Sequence, residues 1–120
     1  MFLCVIIQNI TDMKEHLAHF HVAGFTFYEG VSVFNKLKVG KKVKFRLEED
    51  NKWDPRAVAI YFKGEKIGFI PRTENRIFYK LLKVEITQFE ARIQKIDPQE
   101  HPERQVEIVV HLLPFEEIVY

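Results

Sequence analysis

The sequence predicts a small, mostly β domain of about six strands with one short α-helix, of a size that curls into a partly closed barrel. Apolar and polar residues alternate through most of the chain, which is the period of a β-strand, and one segment alone has good helical spacing. The 120 residues, of which 47% are hydrophobic, form one domain with enough apolar side chains for a packed core.

The N-terminus is predicted to differ from the rest of the chain. Residues 13–120 form the predicted domain, whereas residues 1–12 are either an N-terminal extension or an added strand, because Met13 precedes a more typical polar start. The apolar start lacks the basic flank and cleavage site of a signal peptide, and no segment approaches the roughly 18 apolar residues of a membrane span. The single cysteine, Cys4, suits a reducing compartment. We therefore expect a cytoplasmic protein without a membrane partner.

Three strands are predicted in the first half of the domain. Leu17 to Tyr28 is the first, with Gly24 marking a bulge or bend. The alternation of KKVKFRLEED, Lys41 to Asp50, places apolar residues on one face and basic residues on the other. Ala57 to Phe62 is apolar on both faces, which predicts a central strand.

The next segment is predicted to be a β-hairpin with a two-residue loop. The letters KGEK place glycine first in the loop, as in a type II′ turn, when Lys63 pairs with Lys66. Antiparallel register then sets Ala57 opposite Arg72. We therefore expect the loop around Trp53 to lie beside Arg72 and the start of the helix.

The helix is predicted over Thr73 to Lys83, with Thr73 as its N-cap. Glu85 to Ile96 forms another strand, Asp97 to Gln105 is a loop with two prolines, and VEIVVHLL closes the sheet. The predicted apolar face of the helix consists of Ile77, Phe78, Leu81 and Leu82.

Three strings, VAGFTFYEG, GKKVKFRLEEDNKWDPRAVAIY and GEKIGFIPR, closely resemble the HIRAN domain. HIRAN domains stand at the front of Swi/Snf-class DNA-repair translocases and also occur alone in bacterial proteins, and the motifs cover Leu17 to Lys83. The resemblance implies an OB-like or SH3-like barrel without catalysis or cofactor. Its translocase members recognise the 3′ end of single-stranded DNA, so DNA repair or replication-fork processing is the implied context.

Carried over by position, the resemblance implies specific nucleic-acid-binding residues. Trp53 would stack on a base, Asp54 would accept a hydrogen bond from a terminal 3′-hydroxyl, and Arg72 would lie near phosphate. Two alternatives stay open, since the Trp53 indole could pack as a lid on the core and Asp54 could cap its own turn. The full set of implied residues is Phe27, Tyr28, Asn51, Trp53, Asp54 and Arg72.

A formal net charge of +1 means that electrostatic support for a nucleic acid must come from a local patch. The segment from Gly30 to Leu47 contains six basic residues and no acidic residue, and the helix carries a second basic face. The supporting residues predicted from these two segments are Lys42, Lys44, Arg46, Arg76 and Lys80.

Two further hypotheses accompany the nucleic-acid interpretation. A protein-interaction module is favoured by Thr26 and Phe69, where DNA-binding members carry more basic or polar residues. The apolar ends FLCVII and EIVVHLLPFEEIVY could also expose edge strands that pair with a second copy or a repair protein. A metal enzyme would rest on His16, His19 and His21 and on scattered acidic residues. His19 and His21 lie two residues apart on one strand face, whereas His101 and His111 are expected to be distant. No motif supplies further ligands, so we expect no metal and no catalysis.

Overall fold

Six antiparallel strands and one α-helix form the part of the chain that the computed structural model describes, residues 14–25 and 34–114. The elements are β1 (Glu15–His21), β2 (Lys42–Leu47), β3 (Val58–Phe62), β4 (Glu65–Phe69), α1 (Asn75–Lys83), β5 (Phe89–Ile96) and β6 (Val106–Leu112). The sheet has the order β1-β6-β5-β2-β3-β4. The predicted mostly β fold is thereby confirmed, whereas residues 1–12 lie outside the described residues.

The two edges of the sheet meet just after β1, where the chain bridges to β4. The backbone N–H of Ala23 donates to the Phe69 carbonyl at 2.8 Å, and the Phe69 N–H donates to the Ala23 carbonyl at 2.9 Å. Gly68 permits this approach, because a Cβ there would lie 2.4 Å from the Ala23 carbonyl oxygen and 2.5 Å from Val22 Cγ1. A short bridge, rather than a full strand ladder, thus gives a partly closed barrel.

The core lies between the curled sheet and α1, and its centre is aromatic. Phe78 of α1 is fully buried, with its ring centroid 5.8 Å from Phe20, 5.4 Å from Phe45 and 5.9 Å from Phe89. These rings meet near edge-to-face, the arrangement that aromatic quadrupoles favour. One residue of α1 therefore joins the helix to β2, β5 and the first strand.

The hairpin between β3 and β4 exists as predicted, but its predicted loop register is wrong. Phe62 pairs with Glu65, so the loop residues are Lys63 and Gly64. Their φ angles, 49° and 84°, are both positive. This is the requirement of a type I′ turn, in which glycine is favoured at the second position, so the loop begins one residue earlier than a type II′ turn would.

The helix begins later than predicted, and Thr73 is not its N-cap. The Glu74 N–H donates to the Pro71 carbonyl at 2.8 Å, so Thr73 lies inside a separate turn that precedes α1. Glu74 occupies the N-cap position without a side-chain hydrogen bond. Within the predicted apolar face Phe78 is buried, but Ile77 is 47% exposed. The other buried residue of α1 is Asn75.

The C-terminal apolar stretch was expected to expose an edge strand, and this expectation is wrong for its described part. β6 pairs with β1 on one side and with β5 on the other, so its backbone groups are used within the sheet. The described part of this stretch, which forms β6, therefore offers no strand edge to a second copy. The helix in the described ranges is not long and apolar enough to span a membrane.

Candidate nucleic-acid interface

The loop between β2 and β3 is shaped by the side chain of Asn51. Its Oδ1 accepts hydrogen bonds from the backbone N–H groups of Trp53, at 2.8 Å, and Asp54, at 3.0 Å. Its Nδ2 donates to Glu48 Oε1 at 3.1 Å. Asn51 is thus first a scaffold of the loop, an Asx-type turn in which a side-chain oxygen replaces a backbone acceptor.

Both carboxylate oxygens of Asp54 have partners. Oδ1 accepts from the Arg56 N–H at 2.9 Å, so Asp54 does cap its turn as one alternative proposed. Oδ2 accepts from Asn75 Nδ2 at 2.9 Å and lies 3.9 Å from Arg72 Nε. Each carboxylate oxygen has two lone pairs, so these bonds leave acceptor capacity on a side chain that is 20% exposed.

Arg72 and Trp53 meet across the mouth of the loop, as the hairpin argument predicted. Arg72 Nη2 donates to the Trp53 carbonyl at 2.8 Å, while the rest of the guanidinium is open to solvent. The Trp53 side chain is 83% exposed and is therefore not a lid packed on the core. A tethered loop presents the one tryptophan of the chain to solvent.

A cavity of about 270 Å³ connects these groups. Trp53, Asp54 and Arg72 line it together with Phe69 of β4 and Gly24, which follows the bridge residue Ala23. Such a cavity combines apolar groups, a carboxylate acceptor, a cation and an exposed aromatic ring. These are the groups that bind a nucleotide by stacking, hydrogen bonding and charge.

Comparisons with known proteins agree with this fold and with the sequence motifs. The family model described as HIRAN domain matches residues 17–112. The chain belongs to the HIRAN domain family. HIRAN domains are DNA-binding domains, and the match includes the helix and all six strands apart from the first two residues of β1. A search of curated proteins finds no match.

Two solved structures resemble this HIRAN domain in fold. A protein from Lactobacillus plantarum superposes with a TM-score of 0.69 at 21% identity, covering 85% of this chain and 97% of that one. The HIRAN domain of human HLTF superposes with a TM-score of 0.64 at 16% identity, covering 86% of this chain and 78% of that one. At these identities the similarity establishes the shared fold.

The remaining predicted site residues are placed as follows in this HIRAN domain. Phe27 and Tyr28 lie outside the described residues, and so does Thr26. The other residues divide between two surfaces, the outward side of β2 and the solvent side of α1, and all of them are exposed. They are Lys42, Lys44 and Arg46 on β2, and Arg76 and Lys80 on α1.

A second cavity, larger than the one at the loop, lies between β2 and β5. These strands pair only through Lys42 with Arg92 and Val43 with Ala91, and beyond that point they separate. The resulting space of about 470 Å³ is lined by apolar groups such as Phe45 and by the rim lysines of β2. It contains no residue of the Trp53 loop.

The histidines are closer together than the sequence predicted. His111 was expected to be distant, but it pairs with His16 across β6 and β1, with ring centroids 6.0 Å apart. His16 Nε2 also lies 3.1 Å from His19 Nδ1, whereas His21 faces Glu107 at 3.4 Å. No group of three or more metal-binding side chains is present in residues 14–25 and 34–114.

Asn75 was not among the predicted site residues, yet it is 4% exposed and is the buried polar residue of the described core. Its Nδ2 bonds Asp54 and also the Arg56 carbonyl at 3.1 Å. A signal was available, since Asn75 precedes Phe78 by one helical turn and so lies on the same inward face. A polar residue at such a position needs a buried partner.

Proposed function

We propose that this HIRAN domain is a non-catalytic module that binds the 3′ end of single-stranded DNA, in DNA repair or replication-fork processing. The observation that carries the proposal is the carboxylate of Asp54 in the wall of a cavity whose rim holds an exposed Trp53 and the guanidinium of Arg72. Phe27 and Tyr28 remain predicted DNA contacts, and Asn51 supports the loop that carries Trp53 and Asp54.

End recognition follows from the charge of Asp54. A terminal 3′-hydroxyl can donate a hydrogen bond to the carboxylate, whereas an internal nucleotide carries a phosphodiester at the same place. That phosphate brings negative charge against the carboxylate and has no hydrogen to donate, so the internal nucleotide loses a charge-assisted bond. The nearby Arg72 offsets part of this repulsion, but its Nη2 is already bonded to the Trp53 carbonyl.

Affinity for the rest of the nucleotide would come from stacking and phosphate contacts. The Trp53 face can stack on any base, which contributes about 1–3 kcal/mol per base with little sequence preference. The remaining N–H groups of Arg72 suit a phosphate on the 5′ side of the terminal nucleotide. The predicted support from Lys42, Arg76 and Lys80 would add a salt-dependent attraction.

The proposal is tested by comparing two forms of one single-stranded DNA sequence. A linear oligonucleotide has a free 3′ end, and its circularised form has the same bases and phosphates without an end. We expect the linear form to bind more tightly at low salt, and the Trp53→Ala variant to weaken that binding. Equal affinity for the linear and circular forms would overturn end recognition.

A failure to bind any nucleic acid would favour the second hypothesis, a protein-interaction module that keeps the HIRAN barrel. The exposed Trp53 would then be a contact for a protein partner, since tryptophan is among the residues enriched at interface hot spots. A repair protein as partner and a cytoplasmic location likewise remain predictions.

A further inference from the structure

The outward face of β2, β3 and β4 interleaves aromatic and basic side chains next to the end-binding cavity. Two cross-strand rows make up this face. Lys44 pairs with Tyr61 and Tyr61 with Lys66 in one row, while Arg46 pairs with Ala59 and Ala59 with Phe69 in the other. The rows are two residues apart along β3, which is about 7 Å. We call these six residues the outer face: Lys44, Arg46, Ala59, Tyr61, Lys66 and Phe69.

Tyr61 holds Arg46 in a defined position on this face. The guanidinium carbon of Arg46 lies 4.7 Å from the centroid of the Tyr61 ring, a cation–π contact. Tyr61 is half-buried and Arg46 is exposed, so the ring supports the guanidinium and leaves the guanidinium's outer plane in solvent. A guanidinium plane held in this way can stack on a base, and its fork of N–H groups can contact a phosphate.

The charge of the outer face is positive where Arg46 lies. Its neighbour Glu48 is compensated, because Lys66 Nζ lies 2.7 Å from Glu48 Oε2. Within residues 14–25 and 34–114, neither Lys44 nor Arg46 forms an ion pair. Two uncompensated cations on one sheet face favour an anionic ligand.

The outer face is continuous with the end-binding cavity through Phe69. Phe69 lines the cavity and has Lys66 Nζ 4.8 Å from its ring centroid, and the buried Ala59 separates it from Arg46 in the same cross-strand row. A strand that leaves the cavity past Phe69 and Lys66 would therefore reach Arg46 next. The opposite route, along α1, has the acidic Glu74 and exposed Ile77 beside its cations, and the pocket that these described residues line contains no aromatic side chain.

We propose that Lys44, Arg46 and Tyr61 form a second nucleotide subsite, which takes the part of a single DNA strand on the 5′ side of the terminal nucleotide. In this subsite Arg46, backed by Tyr61, stacks on a base or contacts its phosphate, and Lys44 contacts the following phosphate. The inference rests on the proposed function for the identity of the first subsite. It assigns a role to Tyr61, which the sequence did not single out.

The test measures affinity as a function of strand length, with oligothymidylates of about 2 to about 8 nucleotides that carry free 3′-hydroxyls, within the range of OB-fold site sizes. In the unaltered protein the longer strands should bind more tightly. Arg46→Gln and Tyr61→Leu should reduce the affinity for long strands by about 5- to 50-fold and leave the shortest strand unaffected. Tyr61→Phe should keep the gain with length, because it keeps the ring.

Lys95→Ala is the matched control, since Lys95 is an exposed lysine of β5 away from the outer face. An unchanged gain with length in Arg46→Gln would overturn the subsite, and so would an equal loss at every length. Binding that lacks any preference for a free 3′ end, but loses its gain with length in Arg46→Gln, would overturn the proposed function and support the subsite. Absence of binding to every strand would overturn both. Arg46 is exposed, so Arg46→Gln should remain folded, and this variant tests the subsite by itself if Tyr61→Leu proves unstable.

Discussion

Asn75 Nδ2 donates a hydrogen bond to Asp54 Oδ2 at 2.9 Å and so joins the first residue of α1 to a loop 21 positions earlier in the chain. The same amide bonds the Arg56 carbonyl. The buried amide thus fixes the orientation of the carboxylate that the proposed end recognition requires. One buried side chain therefore connects the start of α1 to the carboxylate of the cavity.

Asn75→Ala should lower the free energy of unfolding by about 1–3 kcal/mol, because it leaves the partly buried Asp54 Oδ2 and the Arg56 carbonyl without their amide donor. Urea denaturation measures this as a lower midpoint at an unchanged slope. Thr73→Ala is the control, since Thr73 is exposed in the preceding turn and should change stability by no more than about 0.5 kcal/mol. Equal midpoints for Asn75→Ala and Thr73→Ala would contradict this role for the amide.

The packing of α1 predicts opposite results for two adjacent residues. Phe78→Ala should cost about 3–5 kcal/mol of unfolding free energy, because the ring is fully buried among three other phenylalanines. Ile77→Ala should cost much less, about 0.5 kcal/mol, since Ile77 is 47% exposed. Similar losses in the two variants would mean that the helix is rotated from the orientation described.

Arg72 should contribute affinity through its charge. Arg72→Ala is expected to weaken every single strand by a similar factor and to reduce the slope of log affinity against log salt by about 0.7, which corresponds to one phosphate contact. Arg72→Lys should keep the slope, because it keeps the charge. A salt slope that Arg72→Ala leaves unchanged would place Arg72 outside the phosphate path.

Glu90 predicts a pH dependence of stability. Hydrogen bonds from Lys14 and then Arg92 lower the pKa of its carboxyl from 4.5 to about 2. The folded pKa lies below the unfolded one, so the carboxylate stabilises the fold above pH 4.5, and this contribution is lost as the pH falls from 4.5 towards 2. Urea denaturation at several pH values from neutral pH down to about pH 2 should show that Glu90→Gln is less stable than the parent at neutral pH and nearly equal to it near pH 2. Parallel curves would contradict the assignment.

The sequence predicted those parts of the fold that depend on local pattern. Alternation placed Val43 inside and Lys44 outside, as the structure has them. The predicted hairpin placed Arg72 beside Trp53, as the structure does, although the predicted register was wrong. A shift of one residue moves a strand end by only about 3.3 Å. The register was predicted wrongly because Lys63 has a positive φ, which is uncommon for a lysine.

What the sequence could not predict depends on contacts between distant parts of the chain. His16 and His111 come from opposite ends of the described chain, and their pairing follows from the position of β6 beside β1. The support of Arg46 by Tyr61 likewise requires the register between β2 and β3. Local periodicity predicts neither register, because an alternating pattern determines which face a residue occupies but not which residue of the neighbouring strand it pairs with.

The most direct test of end recognition compares one single-stranded oligonucleotide with a 3′-hydroxyl and with a 3′-phosphate. End recognition predicts that the hydroxyl form binds more tightly by about 1–3 kcal/mol, or about 5- to 150-fold in Kd. Asp54→Asn keeps an Oδ1 acceptor for the Arg56 N–H but removes the charge, and it should lose most of this preference. Its new NH2 group also faces the Asn75 amide donor, so the stability of the variant is measured alongside its binding. Equal affinity of the unaltered protein for the two ends would contradict the central claim.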